Sequence, residues 1–413
     1  MTLTVTLRQR AQVGDRARSD FVVGTHDHLP GGVMRGAFAG SWLARHGGHA
    51  DTDLAAFLAL FEGGVRYGPL FVDQPPVPLS VVAHKYLPSD DCEFSELDQA
   101  VNGDAPARCL ACDSPLETPK GLGGAAPPVS RRTSVAIHTS GVAATGQIVT
   151  RDTLDTLDTD LRFRGNLVGD ASLLDVLADL SPLRIGGRRT THGRADVEIE
   201  SGRPELPQML PDGRIILRLR SPGVFVDDCG RPSRDPNATE LAEVLGTQVT
   251  VQRRWTRWVT VGGWHIASGL PKPVELAVAG GSTYVLALAG AVPDKAVEAL
   301  ARRGVGLRRH EGFGDLGGAP TLPPDRAARE AAARRWREFV GAMPPLQALK
   351  LHAGAWADFL DRIAAYARGE TTGEQVLAAT PSVGPHTDRA LERLLAASPD
   401  DVTRLLQDWR SQR

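Results

Sequence analysis

One feature restricts this chain more than any other: a glycine- and arginine-studded stretch that occurs twice. The first copy is Arg184-Ile-Gly-Gly-Arg-Arg-Thr-Thr-His-Gly-Arg-Ala-Asp-Val-Glu-Ile199, and it leaves as Ala195, Val197 and Ile199 alternating with Asp196, Glu198 and Glu200. That alternation is a strand, so the stretch is a loop feeding a strand. Glycines at 186, 187 and 193 allow close approach of backbone to a ligand, while Arg184, Arg188, Arg189 and Arg194 present planar, permanently charged forks suited to phosphate. Thr190, Thr191 and His192 add hydrogen-bonding side chains, so the expected ligand is a polyanion. The plainer use of such a turn is a solvated hairpin. What favours a ligand is the second copy, Arg302-Arg-Gly-Val-Gly-Leu-Arg-Arg-His-Glu-Gly-Phe-Gly-Asp-Leu316, because two such loops imply two similar domains.

Length and charge set the frame. A chain of 413 residues can bury more than one core, and 47 basic against 49 acidic residues leave no global field to pull it onto nucleic acid or an anionic membrane. Any such contact must come from local patches. Four cysteines are too few for a disulfide framework, and the opening Thr2-Leu-Thr-Val-Thr-Leu7 alternates as a strand rather than a leader. The most apolar run, Val274 to Val292, is broken by Gly280-Gly281 and carries Glu275, so no segment is expected to span a bilayer and the expected location is the cytoplasm.

Along the chain, Pro30 with Gly31 and Gly32 launches a helix carrying Val33, Met34, Ala37, Phe38 and Trp42 at helical spacing. Its start is expected to attract phosphate, with Arg35 in the first turn to assist. A helix at 53–62 and a strand at 65–72 precede an insertion bounded by Pro75-Pro76 and the Gly- and Pro-rich run 121–128. Strands are expected at 133–138, 146–150 and 161–168, then a helix at 172–180. The second half repeats the pattern with a strand at 215–219, a helix at 238–245, extended segments at 248–261 and 277–288, and a helix at 293–302. From Pro324 the pattern is helical, at 326–340, 346–367, 373–377, 388–397 and 400–409, with Trp336, Trp356 and Trp409 read as core.

Three groups could carry chemistry. Cys109-Leu-Ala-Cys112 is one half of a zinc ribbon or knuckle, and within the same insertion Cys92 and His84 are the nearest candidates for the remaining ligands of a structural zinc. Two buried thiols are the alternative use of the cysteine pair. His26-Asp27-His28 places two imidazoles around an acid at a strand end, which suits a metal site, acid–base chemistry or plain polar surface. His192 and His310 lie within the two glycine loops and suit either phosphate binding or acid–base roles. No Walker, GxSxG or HExxH motif is present.

On these residues the chain resembles the RAMP superfamily of CRISPR-associated proteins, and most of all the large two-domain RAMP subunit of type III-D effector complexes. The resemblance rests on Leu29-Pro-Gly-Gly-Val-Met-Arg-Gly-Ala-Phe-Ala39, on Arg184 to Ile199, and on Pro78-Leu-Ser to Lys85 ahead of Cys109 to Gly121. Gly263-Trp264 with Leu270-Pro-Lys-Pro273, Gly281-Ser282 and Gly304 to Gly314 extend it to about residue 320. Gly32 stands where the family commonly has Ser, and His84 where Cys is common.

The resemblance implies an α+β chain of two ferredoxin-like, RNA-recognition-motif-like RAMP domains at 1–205 and 206–322. It also implies a zinc-ribbon-like insertion at 75–130 in the first domain, and leaves a helical C-terminal region at 323–413. It further implies a non-catalytic subunit that caps the 5′ repeat-derived end of a CRISPR guide RNA in antiviral defence. Such a subunit contacts a large polymerase-like subunit and neighbouring backbone RAMP subunits, meets target RNA only indirectly, and avoids membranes. RNA-binding residues are then expected at Arg35, Arg184, Gly187, Arg188, Arg189, Thr190, Thr191, His192, Arg194, Arg308, Arg309, Gly312, Phe313 and Gly314, with Phe313 stacking on a base. The rival reading is a RAMP endoribonuclease that processes CRISPR precursor RNA through His26, His28 or His192. A third is a protein scaffold that holds no RNA.

Overall fold

The structure is a computed structural model that describes residues 1–19, 22–85, 92, 96–109, 112–156, 160–265, 270–320, 353–380, 391–392, 394–399, 402–403 and 405–406. By internal packing the chain divides into two units, residues 1–80 with 120–320, and residues 81–119 with 321–413.

The larger unit holds two halves of like topology. In the first, β1 (Thr2–Leu7) is followed by α1 (Gly31–Arg45), α2 (Leu54–Phe61) and β2 (Arg66–Phe71), then by β3 (Leu161–Val168), α3 (Ala171–Ala178), the short β4 (Leu183–Arg184) and β5 (Arg194–Glu200). The sheet runs β4-β5-β1-β3-β2 with every neighbour antiparallel. Strict alternation drives this arrangement: Leu161, Phe163 and Leu167 are buried while Arg162 and Arg164 face out. Met34, Ala37, Phe38 and Trp42 form the buried face of α1 and pack with Leu3, Val5 and Phe163 in one core.

The second half contains β6 (Gln208–Met209), β7 (Ile215–Leu219), α4 (Ala238–Leu245), β8 (Val249–Trp255), β9 (Thr283–Leu288), α5 (Asp294–Arg303) and β10 (Leu316–Gly317). Its sheet runs β6-β7-β9-β8, with β10 also on β7. With the two-residue strands β4 and β6 set aside, in both halves the last strand lies beside the first, the first beside the third, and the third beside the second. A core of Leu217, Phe225, Leu241, Tyr284, Leu286 and Leu300 fills the second half.

Two long excursions leave the sheets. Val129–Ile137 pairs with Ala143–Leu154 as a hairpin whose first strand is exposed from residue 131 to 137. This hairpin is longer than the 133–138 and 146–150 expected, because pairing continues to Val129 and Leu154. In the second half the extended, hairpin-like stretch expected at 248–261 does not pair with itself. Val249–Trp255 joins the main sheet, and Trp258–Val261 instead pairs with Glu275–Val278.

In the smaller unit, Val81–His84 is the centre of a three-stranded sheet with Glu96–Asp98 and Leu116–Glu117. Helices Ala353–Ala367 and Gly373–Ala378 share a core of Phe359, Ile363, Val376, Leu394, Val402 and Leu405. Thr372 and Gln375 close a reciprocal capping box at the start of the second of these helices. The helix expected at 326–340, with Trp336, Trp409 and the Trp356 side chain, lies outside the described residues. No helix among the described residues is long and apolar enough to cross a membrane.

Candidate nucleic-acid interface and metal centre

The two glycine loops are conformational copies. Each follows the last helix of its half and enters the last strand. Ile185 N–H donates to the Gly193 carbonyl at 2.8 Å, and Val305 N–H to that of Gly314 at 3.0 Å. Gly187 N–H donates to the Gln12 carbonyl and Leu307 N–H to that of Val224, both at 2.9 Å. Arg188 and Arg308 occupy the same left-handed conformation, with φ of 53° and 56°. A Cβ on Gly193 would sit 2.0 Å from the Ile185 carbonyl oxygen, and one on Gly314 1.8 Å from that of Val305. These glycines close the loops on themselves. The N–H groups of Gly187 and Gly193 are likewise donated inward, to Gln12 and Arg10 carbonyls at 2.9 Å each, so these two glycines do not offer them to phosphate.

In those side chains the copies diverge. Arg188 and Arg189 have no carboxylate partner among the described residues, and neither do Arg10, from the turn after β1, or Arg132, from the exposed hairpin. Burial together with Arg10, Arg188 and Arg132 lowers the pKa of His192, so these cations converge on one imidazole. His192 Nδ1 meets Thr191 Oγ1 at 2.7 Å. Thr190, Thr191 and Arg194 are exposed, and Arg184 donates to Gln9 Oε1 at 3.0 Å. Arg189 lies across α1: a Cβ on Gly40 would be 2.7 Å from its Nη1.

The second loop is neutralised from within. Arg308 pairs with Glu275 and, at 3.0 Å, with Glu311, and its guanidinium lies 4.6 Å over the Phe313 ring. Arg309 pairs with Glu240, which Arg303 also reaches at 3.1 Å. Burial raises the Glu311 pKa, but hydrogen bonds from Arg308 and Lys272 outweigh this and bring it down to about 2. One face of the ring of Phe313, the residue expected to stack on a base, thus carries Arg308.

The start of α1 also differs from expectation. The helix begins at Gly31, within the first turn of which both glycines fall, and Gly31 is buried. A Cβ there would be 1.9 Å from the Tyr67 carbonyl oxygen and 2.9 Å from that of Glu311. Glu311 and Gly312 cover the helix start, where the sequence suggested phosphate. Arg35 donates through Nε to the Phe61 carbonyl and pairs with Glu62, so it closes the end of α2.

The halves are clamped together by Arg66 of β2. It pairs with the fully buried Asp315, and it donates to the carbonyls of Ala301 and Arg302 at 2.9 Å each, so it caps the end of α5.

In the smaller unit His84, Cys92, Cys109 and Cys112 converge, with all ligand atoms within 4.8 Å of one another. Cys92 Sγ lies 3.7 Å from Cys109 Sγ and 3.6 Å from His84 Nε2, and Cys112 Sγ lies 3.3 Å from that nitrogen. Two sulfurs bound at about 2.3 Å to one tetrahedral ion stand about 3.8 Å apart, so the cluster has the dimensions of a metal site. The turn is built by the Cys109 N–H on the Ser114 carbonyl at 2.8 Å and the Asp113 N–H on the Cys109 carbonyl at 2.9 Å, with Asp113 left-handed at φ 55°. These residues could hold a metal ion.

Between the strand Val22–Thr25 and α1, His28 Nδ1 meets the Asp27 carboxylate at 2.8 Å, and the His26 and His28 rings are 5.2 Å apart. His28 stacks on Phe71 at 5.3 Å. A hydrogen bond from His28 holds the Asp27 carboxyl below its ordinary value.

Residues 181–316 match the family model described as CRISPR-associated protein (Cas_Cmr3). That span opens just before the first glycine loop and closes at the end of the second. None of the curated proteins matches the chain. Among solved structures, the chain is similar to one from "Cryo-EM structure of the Type III-B Cmr-beta bound to cognate target RNA and AMPPnP, state 1", with 11% identity, 69% of this chain and 86% of that chain covered, and a TM-score of 0.42. A second, from "Crystal structure of Csm3-Csm4 subcomplex in the type III-A CRISPR-Cas interference complex", has 11% identity, 71% and 96% coverage and a TM-score of 0.33.

Proposed function

We propose that the chain is a non-catalytic RNA-binding subunit of a type III CRISPR effector ribonucleoprotein, built on two ferredoxin-like RAMP domains at 1–205 and 206–322. The observation that carries this reading is the cation set at the first glycine loop. Arg10, Arg132, Arg188 and Arg189 come from three separate segments, and none is neutralised by a carboxylate among the described residues. Like charges brought together repel one another, and a phosphodiester backbone relieves that repulsion. The match of 181–316 to the Cas_Cmr3 family supports the assignment to CRISPR machinery, and the repeated strand order supports the paired RAMP fold.

Within that assembly the chain holds the 5′ repeat-derived end of the guide RNA, as the type III-D resemblance implies, and contacts the polymerase-like subunit and neighbouring backbone subunits. The residues that grip RNA are Arg188, Arg189, Thr190, Thr191, His192 and Arg194, joined by Arg10 and Arg132. The cluster of His84, Cys92, Cys109 and Cys112 binds one structural zinc that holds a small insertion together.

Purification of the chain with its assembly tests the reading. The wild type should carry RNA, seen as a high 260-to-280 nm absorbance ratio, and Arg188→Ala/Arg189→Ala should lose it. An unchanged ratio in the variant would remove this loop from the site.

A further inference from the structure

The second glycine loop repeats the backbone of the first but reverses its surroundings, and beside it lies a cavity of about 370 Å³. Its apolar lining comes from Val224, Phe225 and the exposed Leu307, and its acidic lining from Asp228, Glu240 and Glu243. Glu240 is satisfied by Arg303 and Arg309. Asp228 and Glu243 are exposed and have no cationic partner among the described residues.

We propose that this cavity is a docking site for an arginine- or lysine-bearing segment of a protein partner, and that the second loop has exchanged a phosphate-binding role for a protein-binding one. Charge complementarity selects the occupant. A nucleotide would bring phosphate toward two unneutralised carboxylates, which like-charge repulsion opposes. A long basic side chain fits both parts of the cavity: its aliphatic stem covers Phe225 and Leu307, and its head reaches Asp228 and Glu243. Docking at this cavity involves only the second loop and is independent of RNA at the first.

The test is a fluorescence-anisotropy titration of the full chain with three probes: a labelled Leu-Arg-Leu-Arg peptide, its Leu-Glu-Leu-Glu counterpart and a uridine-rich single-stranded RNA. The arginine peptide should bind saturably and the glutamate peptide should not. Asp228→Asn/Glu243→Gln, both at exposed positions, should weaken the arginine peptide roughly five-fold while leaving RNA affinity unchanged. Leu307→Ser should weaken the peptide independently of charge. The proposal is overturned by no saturation up to about 1 mM arginine peptide. Equal binding of both peptides, or a charge-removed variant that alters RNA affinity as much as peptide affinity, overturns it equally.

Discussion

Exchanging arginines in matched pairs tests whether the two loops differ as their charges indicate. Arg132→Gln/Arg188→Gln removes two cations with no internal partner, whereas Arg308→Gln/Arg309→Gln removes two already paired with Glu275, Glu311 and Glu240. Each phosphate contact to a single strand contributes about 0.7 to the slope of log affinity against log salt, so the first pair should flatten that slope by about 1.4. Over a fourfold rise in salt, the wild type should then lose about sevenfold more affinity than this variant. The second pair should leave the slope unchanged and instead destabilise the larger unit by about 1–3 kcal/mol, because part of the Glu311 and Glu240 hydrogen bonding is lost. Anisotropy titrations of labelled single-stranded RNA at several salt concentrations, with denaturant unfolding of both variants, supply the readouts. Equal flattening by both pairs would refute the reasoning, since it would mean that internal pairing does not withhold Arg308 and Arg309 from RNA.

RNA binding should take up a proton at His192. In the free chain, burial and three arginines hold its pKa below the ordinary 6.5. A phosphate nearby favours the imidazolium, so affinity should rise as pH falls through the window between the bound and free values and stay flat above it. His192→Gln should abolish that rise. Removing one member of the buried Arg66–Asp315 pair, as in Asp315→Asn, should cost about 3–5 kcal/mol in denaturant unfolding, and Arg66→Met/Asp315→Leu should recover part of it. Metal analysis should return about one zinc per chain, and Cys109→Ser should reduce it several-fold. Repeat RNA incubated with the chain in chelator should stay intact, and a single cut abolished by His28→Ala would instead support the endonuclease reading of the His26, Asp27 and His28 group.

What could be read before folding follows from how local each signal is. The glycine loops were visible because their closure uses residues eight or nine positions apart, Ile185 with Gly193 and Val305 with Gly314. The metal ligands were visible because Cys109 and Cys112 are four residues from end to end of one turn and the other two candidates share the same short insertion. Of the carboxylates that neutralise the second loop only Glu311, three residues after Arg308, was local, since Glu275 and Glu240 approach Arg308 and Arg309 from 33 and 69 residues away. Arg10 and Arg132 were missed for the same reason. The available hints were slight: Arg10 directly follows the first strand, and Arg131-Arg132 interrupts an otherwise uncharged one. The covering of the α1 start by Glu311 and Gly312 is likewise a product of the packing of the second half on the first.

Mapping where RNA touches the chain tests the central claim most directly. Ultraviolet crosslinking of the RNA-loaded assembly, followed by mass spectrometry of the crosslinked peptides, should place nucleotide adducts on peptides spanning 187–194 and on those containing Arg10 or Arg132. Adducts confined to 305–315, with none on 187–194, would contradict it.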